Sequence, residues 1–310
     1  MLKVFRTNVY LQAAIIAVVA ALLWLPAIVH PMPSLYLSPR AATVAALALV
    51  VVEGVLLCSM LYRNKMIGQN TTMPILFFLL AMSLGTQQTG MTPLLAGTLF
   101  LILCVRQLMV SGTLLSLSID KTFGASACLS LATILCPPMV VFLVPLIMCM
   151  LNYSLYSWRD WTMLLLGLAA PYIPLELYYY LSGDIFYRNY LLLYDLTDVQ
   201  WRVIHSSAAD WVMSAVFLLL TIVALIATLL GNQSHGTNYT KNSAAILFFL
   251  TGSVLMAAYT PAVPLCTAAY AVPFAFCCTA LFHDEKKKEW IWNIVLIVLL
   301  LAAGAYNILN

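Results

Sequence analysis

The sequence predicts an all-α polytopic membrane bundle of about eleven spans, and three observations carry that expectation. The chain has 310 residues, of which 64% are hydrophobic and 8% charged, with a mean hydropathy of +0.99. A soluble domain carries about 25% charged residues, so this one has too few to clothe a water-facing surface. Its apolar runs are continuous, as in 44–57 and 290–306. Barrel strands alternate apolar and polar residues over roughly ten positions, so the runs decide for helices, whose backbone groups are satisfied within each segment.

Spans are expected near 9–29, 41–62, 73–86, 92–110, 122–136, 138–154, 161–182, 210–231, 243–260, 263–282 and 290–308. The first could pass for a secretory signal, but it ends in LPAIVHPMP and lacks a small-residue cleavage site, so it reads as a retained span. The second carries Glu53 near its middle. The third and fifth are short enough to turn back as hairpins before crossing. Tight connections at 85–90, 136–138 and 260–264 hold Gly or Pro, which end helices and permit reversals. The seventh span contains Pro171 and Pro174, which free backbone carbonyls and bend it. Between the seventh and eighth spans lies the one long connection, 183–209, whose mixed aromatic, apolar and charged residues suit a segment lying in the outer interface. Ser207 to Asp210 resembles a helix-start cap ahead of the eighth span.

Orientation follows from the basic residues. With the N-terminus in the cytoplasm, the inner side receives Lys3, Arg6, Arg63, Lys65, Arg106, Lys121, Arg159, Lys241, Lys286, Lys287 and Lys288. The outer side receives Arg40, Arg188 and Arg202. Eleven against three, in agreement at each loop, sets the N-terminus in and the C-terminus out. The eight cysteines form no CxxC pair, and small apolar filling is their expected use, with no metal site. The basic residues are scattered through short loops, so no nucleic-acid surface is expected, and the bilayer is the partner. No phosphate-binding glycine loop, HExxH or GxSxG motif is present. The sequence names no cofactor.

The candidate functional residues are those whose ionisable groups sit at unusual depth. Glu53 at mid-span reads either as a contact for a proton, ion or polar substrate, or as a protonated acid hydrogen-bonded to a neighbouring helix. Glu176, beside the prolines and ahead of Tyr178, Tyr179 and Tyr180, either lines an outward-facing cavity or reaches water from an aromatic belt. The outer segment adds Asp184, Arg188, Asp195, Asp198, Arg202 and His205. These suit a phosphorylated lipid headgroup or a sugar, or are simply solvated. Arg40, with His30 and Tyr36, belongs to the first outer loop and is placed to join them.

Two resemblances extend this reading. The opening MLKVFRTNVYLQAAIIAVVAALLWLP and the segment 136–174 resemble an uncharacterised family of polytopic inner-membrane proteins of Bacteroidota, about 300 residues long. The paired short helices in mid-chain, the outer segment and AYTPAVPLCTAAYAVPFAF (258–276) resemble the architecture of the GT-C membrane glycosyltransferases. That resemblance implies a polyprenyl-phosphate-linked glycan substrate and work in envelope assembly. Such enzymes carry an acidic residue in the first outer loop, whereas HPMPSLYLSPRA (30–41) has none. The resemblance therefore assigns the general base to Glu176 or Asp184, with Arg40, Arg188, Arg202 or His205 holding the carrier phosphate. Two rival expectations stand beside it. One is a transporter or flippase using Glu53. The other is a non-catalytic subunit binding other envelope membrane proteins through small-residue helix faces such as AGTLF, GASA and AAGA.

Overall fold

The structure is a computed structural model that describes residues 9–29, 38–67, 71–83, 92–109, 119–155, 157–184, 208–231, 237–259, 263–284 and 289–309. Every regular element among them is helical: α1 Val9–Val29, α2 Pro39–Arg63, α3 Met73–Met82, α4 Pro93–Leu108, α5 Ile119–Leu135, a 3-10 turn Pro137–Phe142, α6 Leu143–Asn152, α7 Trp158–Ala169, α8 Tyr172–Ser182, α9 Ala208–Gly231, α10 Thr237–Tyr259, α11 Val263–Asp284 and α12 Glu289–Leu309. Taking the 3-10 turn with α6 and α7 with α8, the described residues form eleven rods in the order the sequence predicts. Three helices, Tyr10–Val29, Pro39–Arg63 and Trp158–Ser182, are long and apolar enough to cross a bilayer.

The boundaries depart from expectation where local chemistry intervenes. α3 has 10 residues and stops at Met82, short of the predicted 86, and residues 84–86 lie outside the described ones. At 1.5 Å per residue it is about 15 Å long, half the hydrocarbon thickness of a bilayer. All ten of its residues are buried in protein. Pro137 and Pro138 do not make a bare reversal. They open the 3-10 turn that leads into α6, the position where a missing N–H and a fixed φ are tolerated. The predicted seventh span divides at Ala170 and Pro171 into α7 and α8, as the prolines require. α10 starts at Thr237, six residues ahead of the predicted 243. The predicted cap at Ser207 lies outside the described residues. A cap of that kind is found instead at Ser157, whose Oγ accepts from Asp160 N at 3.3 Å and donates to Asp160 Oδ2 at 2.8 Å.

Side-chain contacts fix how the helices run. Asn64 Nδ2 meets Met109 Sδ at the ends of α2 and α4, and eleven residues earlier on each helix Thr98 meets Glu53, so α2 and α4 are parallel. α5 runs antiparallel to α4, with Gly97 against Cys136 and Met139 at one end and Gly124 against Gln107 at the other. α7 and α8 climb beside α5, through Ser130 Oγ donating to Leu168 O at 2.7 Å and the Thr133–Tyr172 hydroxyl pair at 2.9 Å. α6 and α10 are antiparallel: Gly252 faces Phe142 and Pro145 at the start of α6, while Asn152 Nδ2 donates to Lys241 O at 3.1 Å and Tyr153 Oη to Asn242 Oδ1 at 2.8 Å at its end. Asn307 Nδ2 donates to Leu23 O at 3.2 Å. Side chains from Ala14 to Leu23 and from Ile297 to Ala305 share one groove, so α1 and α12 run parallel. The start of α2 and the end of α8 therefore lie at one end of the bundle, and the starts of α1, α5 and α7 at the other.

The core is built around α3. Phe77 packs on Phe274 and Phe282 of α11 at ring separations of 6.0 and 5.0 Å, and Phe217 of α9 reaches Phe274 at 5.0 Å. The amide at the start of α3 is satisfied from another helix: Thr72 N and Thr72 Oγ1 both donate to Gln12 Oε1, at 3.1 and 2.8 Å. A buried helix start needs such a partner, because unpaired amides in an apolar interior cost several kcal/mol each. A Cβ on Gly252 would sit 2.7 Å from both Phe142 and Pro145, so α10 approaches the 3-10 turn at near-backbone distance.

Candidate functional site

Two candidate sites come out of this framework. The first is internal. Glu53 lies on the buried face of α2 with no solvent exposure. Gly54, next to it, brings α2 close to α3, where a Cβ would meet Ile75 Cγ2 at 3.1 Å. Counting along α2, Glu53 is ten residues from Arg63 and fourteen from Pro39, about 15 and 21 Å of helix, which puts it near the middle of the helix. Thr98 Oγ1 on α4 is 3.0 Å from Glu53 Oε1 and 2.7 Å from Leu95 O. A hydroxyl carries one proton and two lone pairs. Thr98 can thus donate to Glu53, or donate to Leu95 while it accepts from the acid form of Glu53. Glu53 Oε2 is buried with no hydrogen-bond partner. A buried polar oxygen left without a partner costs about 1–3 kcal/mol, which marks this atom as one the packing does not explain.

The second site is the cluster that the sequence analysis assigns to the outer side. Glu176 is half-buried on α8, a helix with no buried residue. Gly183 ends that helix at φ 82, a left-handed cap that only glycine adopts without strain, and the exposed Asp184 follows. Arg40 is exposed in the first turn of α2. Arg40, Glu176 and Asp184 share one end of the bundle, with Arg40 on α2 and the two acids on and just after α8. No side-chain hydrogen bond or ion pair joins them among the described residues. Arg188, Arg202 and His205, with Asp195, Asp198, His30 and Tyr36, lie outside the described residues. The tyrosines after Glu176 face outward: Tyr178 and Tyr180 are exposed, and Tyr178 packs edge-on against Tyr179 at 5.5 Å.

Among the described residues no group of three or more His, Cys, Asp or Glu side chains is arranged to hold a metal ion. The buried cysteines sit within helix contacts, as where Cys149 Sγ donates to Ala245 O at 3.6 Å. Sequence reading missed Thr98 as the partner of Glu53. The two are 45 positions apart, and only the parallel packing of α2 and α4 brings them together. No family model, curated protein or solved structure matches the chain.

Proposed function

We propose that the chain is a multi-pass protein of the bacterial inner membrane, N-terminus in the cytoplasm and C-terminus outside, that handles a lipid-linked glycan at its outer face in envelope assembly. The observation that carries the reading is the sidedness of the charge. Arg40, Glu176 and Asp184 share the end of the bundle away from the basic residues of the inner loops. In this reading the enzyme is GT-C-like. Glu176 or Asp184 takes the proton from an acceptor hydroxyl, and the acceptor oxygen bonds to the sugar carbon. The bond from that carbon to the carrier phosphate breaks, and the electron pair leaves on the phosphate. Arg40, Arg188, Arg202 and His205 supply the donors that stabilise it. The α8 helix suits this role because it is sparingly packed, leaving Glu176 and the tyrosines open to a substrate arriving through the outer leaflet.

The test is replacement of Glu176 and Asp184 by Ala, singly and together, with envelope glycans profiled by mass spectrometry. Loss of a general base lowers rate by about 10²–10⁴-fold, so the double variant is expected to lose the glycan product while its membrane level is unchanged. An unchanged profile sets the enzymatic reading aside and leaves the subunit reading.

A second reading is favoured by Glu53 Oε2. An ionisable group at mid-depth with an unpartnered oxygen suits a transport or flippase site, since such sites lie near the midplane. Uptake into vesicles that is lost in Glu53→Gln would establish it, and uptake equal to that of the unsubstituted chain would dismiss it.

A further inference from the structure

Away from both sites, α1 and α12 leave a groove of about 730 Å³ between them. This is within the roughly 300–1,000 Å³ of ligand pockets. Its walls are apolar, formed by side chains such as Ala14, Val18, Leu22, Ile297 and Leu301, and its floor is opened by Gly304, where an added Cβ would meet nothing within 4 Å. The Asn307–Leu23 hydrogen bond ties the two parallel helices at one end of it. Towards the other end lie the starts of both helices, where Tyr10 and Trp290 are 89% and 75% exposed. Exposed Tyr and Trp at matching helix starts mark the level of the lipid headgroups.

The dimensions are those of one leaflet. Ala14 is one turn along from Tyr10, about 6 Å, and the groove then follows α1 to Leu23 over about 13 Å. Half a hydrocarbon core is about 15 Å. The described residues at this end of the bundle include cations. Arg63 and Lys65, both exposed, close α2, which packs on α1. An apolar slot tied at one end and opening on a cationic end matches an amphiphile with an anionic head.

We propose that the groove between α1 and α12 holds an acyl chain of an anionic glycerophospholipid from the leaflet at the basic end, chosen over zwitterionic lipid by its headgroup charge. The inference rests on the membrane reading of the chain and is independent of any reaction at the outer face.

The test uses the full chain in nanodiscs of mixed phosphatidylcholine and phosphatidylglycerol, with lipids that stay bound on gentle extraction counted by native mass spectrometry. Retained phosphatidylglycerol is expected to exceed its bulk share by roughly fivefold, the preference one basic residue contributes, and to fall towards the bulk share in high salt. Gly304→Phe and Val18→Trp, which fill an open floor and an exposed wall, are each expected to abolish the enrichment while the chain incorporates at the same yield. Retention at the bulk ratio, or enrichment that survives both substitutions, overturns the proposal. So does a disulfide-linked dimer of Val18→Cys and Leu301→Cys chains, which would assign the groove to a second copy. Failure of the unsubstituted chain to incorporate would overturn the membrane reading as well.

Discussion

Glu53 and Gly167 illustrate two ways in which one residue constrains this bundle. Glu53 joins α2 to α4 through Thr98, with one oxygen bonded and one not. Gln is nearly isosteric and its amide can donate to Thr98, so Glu53→Gln is expected to change stability by less than about 1 kcal/mol, within the range of a single hydrogen bond. Glu53→Ala removes the bond and leaves a cavity, and an expected loss of about 2–4 kcal/mol follows from large-to-small replacement. Thermal unfolding of both variants in detergent distinguishes them, and equal losses would show that the Thr98 bond contributes nothing. At Gly167 the constraint is steric. A Cβ there would collide with Ser126 Oγ and lie 2.6 Å from the backbone oxygen of Phe123. A serine can rotate but a backbone oxygen cannot, so Gly167→Ala is expected to cost about 1–3 kcal/mol, as overpacking does. A lowered melting temperature is the readout, and an unchanged one would mean that α5 and α7 sit further apart than described.

At the scale of elements, the sequence was most informative where composition alone decides. The positions of the eleven rods follow from apolar runs bounded by Gly, Pro and charge, and α1, α2 and α12 fall within two residues of expectation at both ends. Pro171 and Pro174 predicted a bend in the seventh span, and the structure interrupts the helix there, between α7 and α8. What composition could not show was the role of α3. Its ten residues read like any short span, since a helix buried in protein and one bathed in lipid are equally apolar. The distinction lies in partners far along the chain: Gln12 at its start, and Phe274 and Phe282 against its face. The same limit explains Thr98. Its hydroxyl is an ordinary helix residue until the register of α2 against α4 is known.

For the molecule as a whole, the sequence yields an expected sidedness but no convergence of the charged residues. The eleven-to-three division of basic residues assigns each loop to a side without reference to tertiary contacts. The helix directions fit that division: the starts of α1, α5 and α7 share one end, and Arg40 and Asp184 share the other. Whether Arg40, Glu176 and Asp184 form one site depends on lateral positions that charge counting does not encode. The described elements hold them apart on α2 and at the end of α8. The account of a substrate at the outer face, and of an anionic lipid at the basic end, both require that the chain cross the membrane with this polarity. The direct measurement is labelling of single cysteines, placed in a background lacking the native ones, with a membrane-impermeant maleimide on intact and opened cells. Cysteines at 40, 184 and 310 are expected to react in intact cells, and those at 65, 159 and 241 only after the membrane is opened. Labelling of 65 or 241 in intact cells, or protection of 310, would contradict the eleven-span, N-in and C-out arrangement on which the account stands.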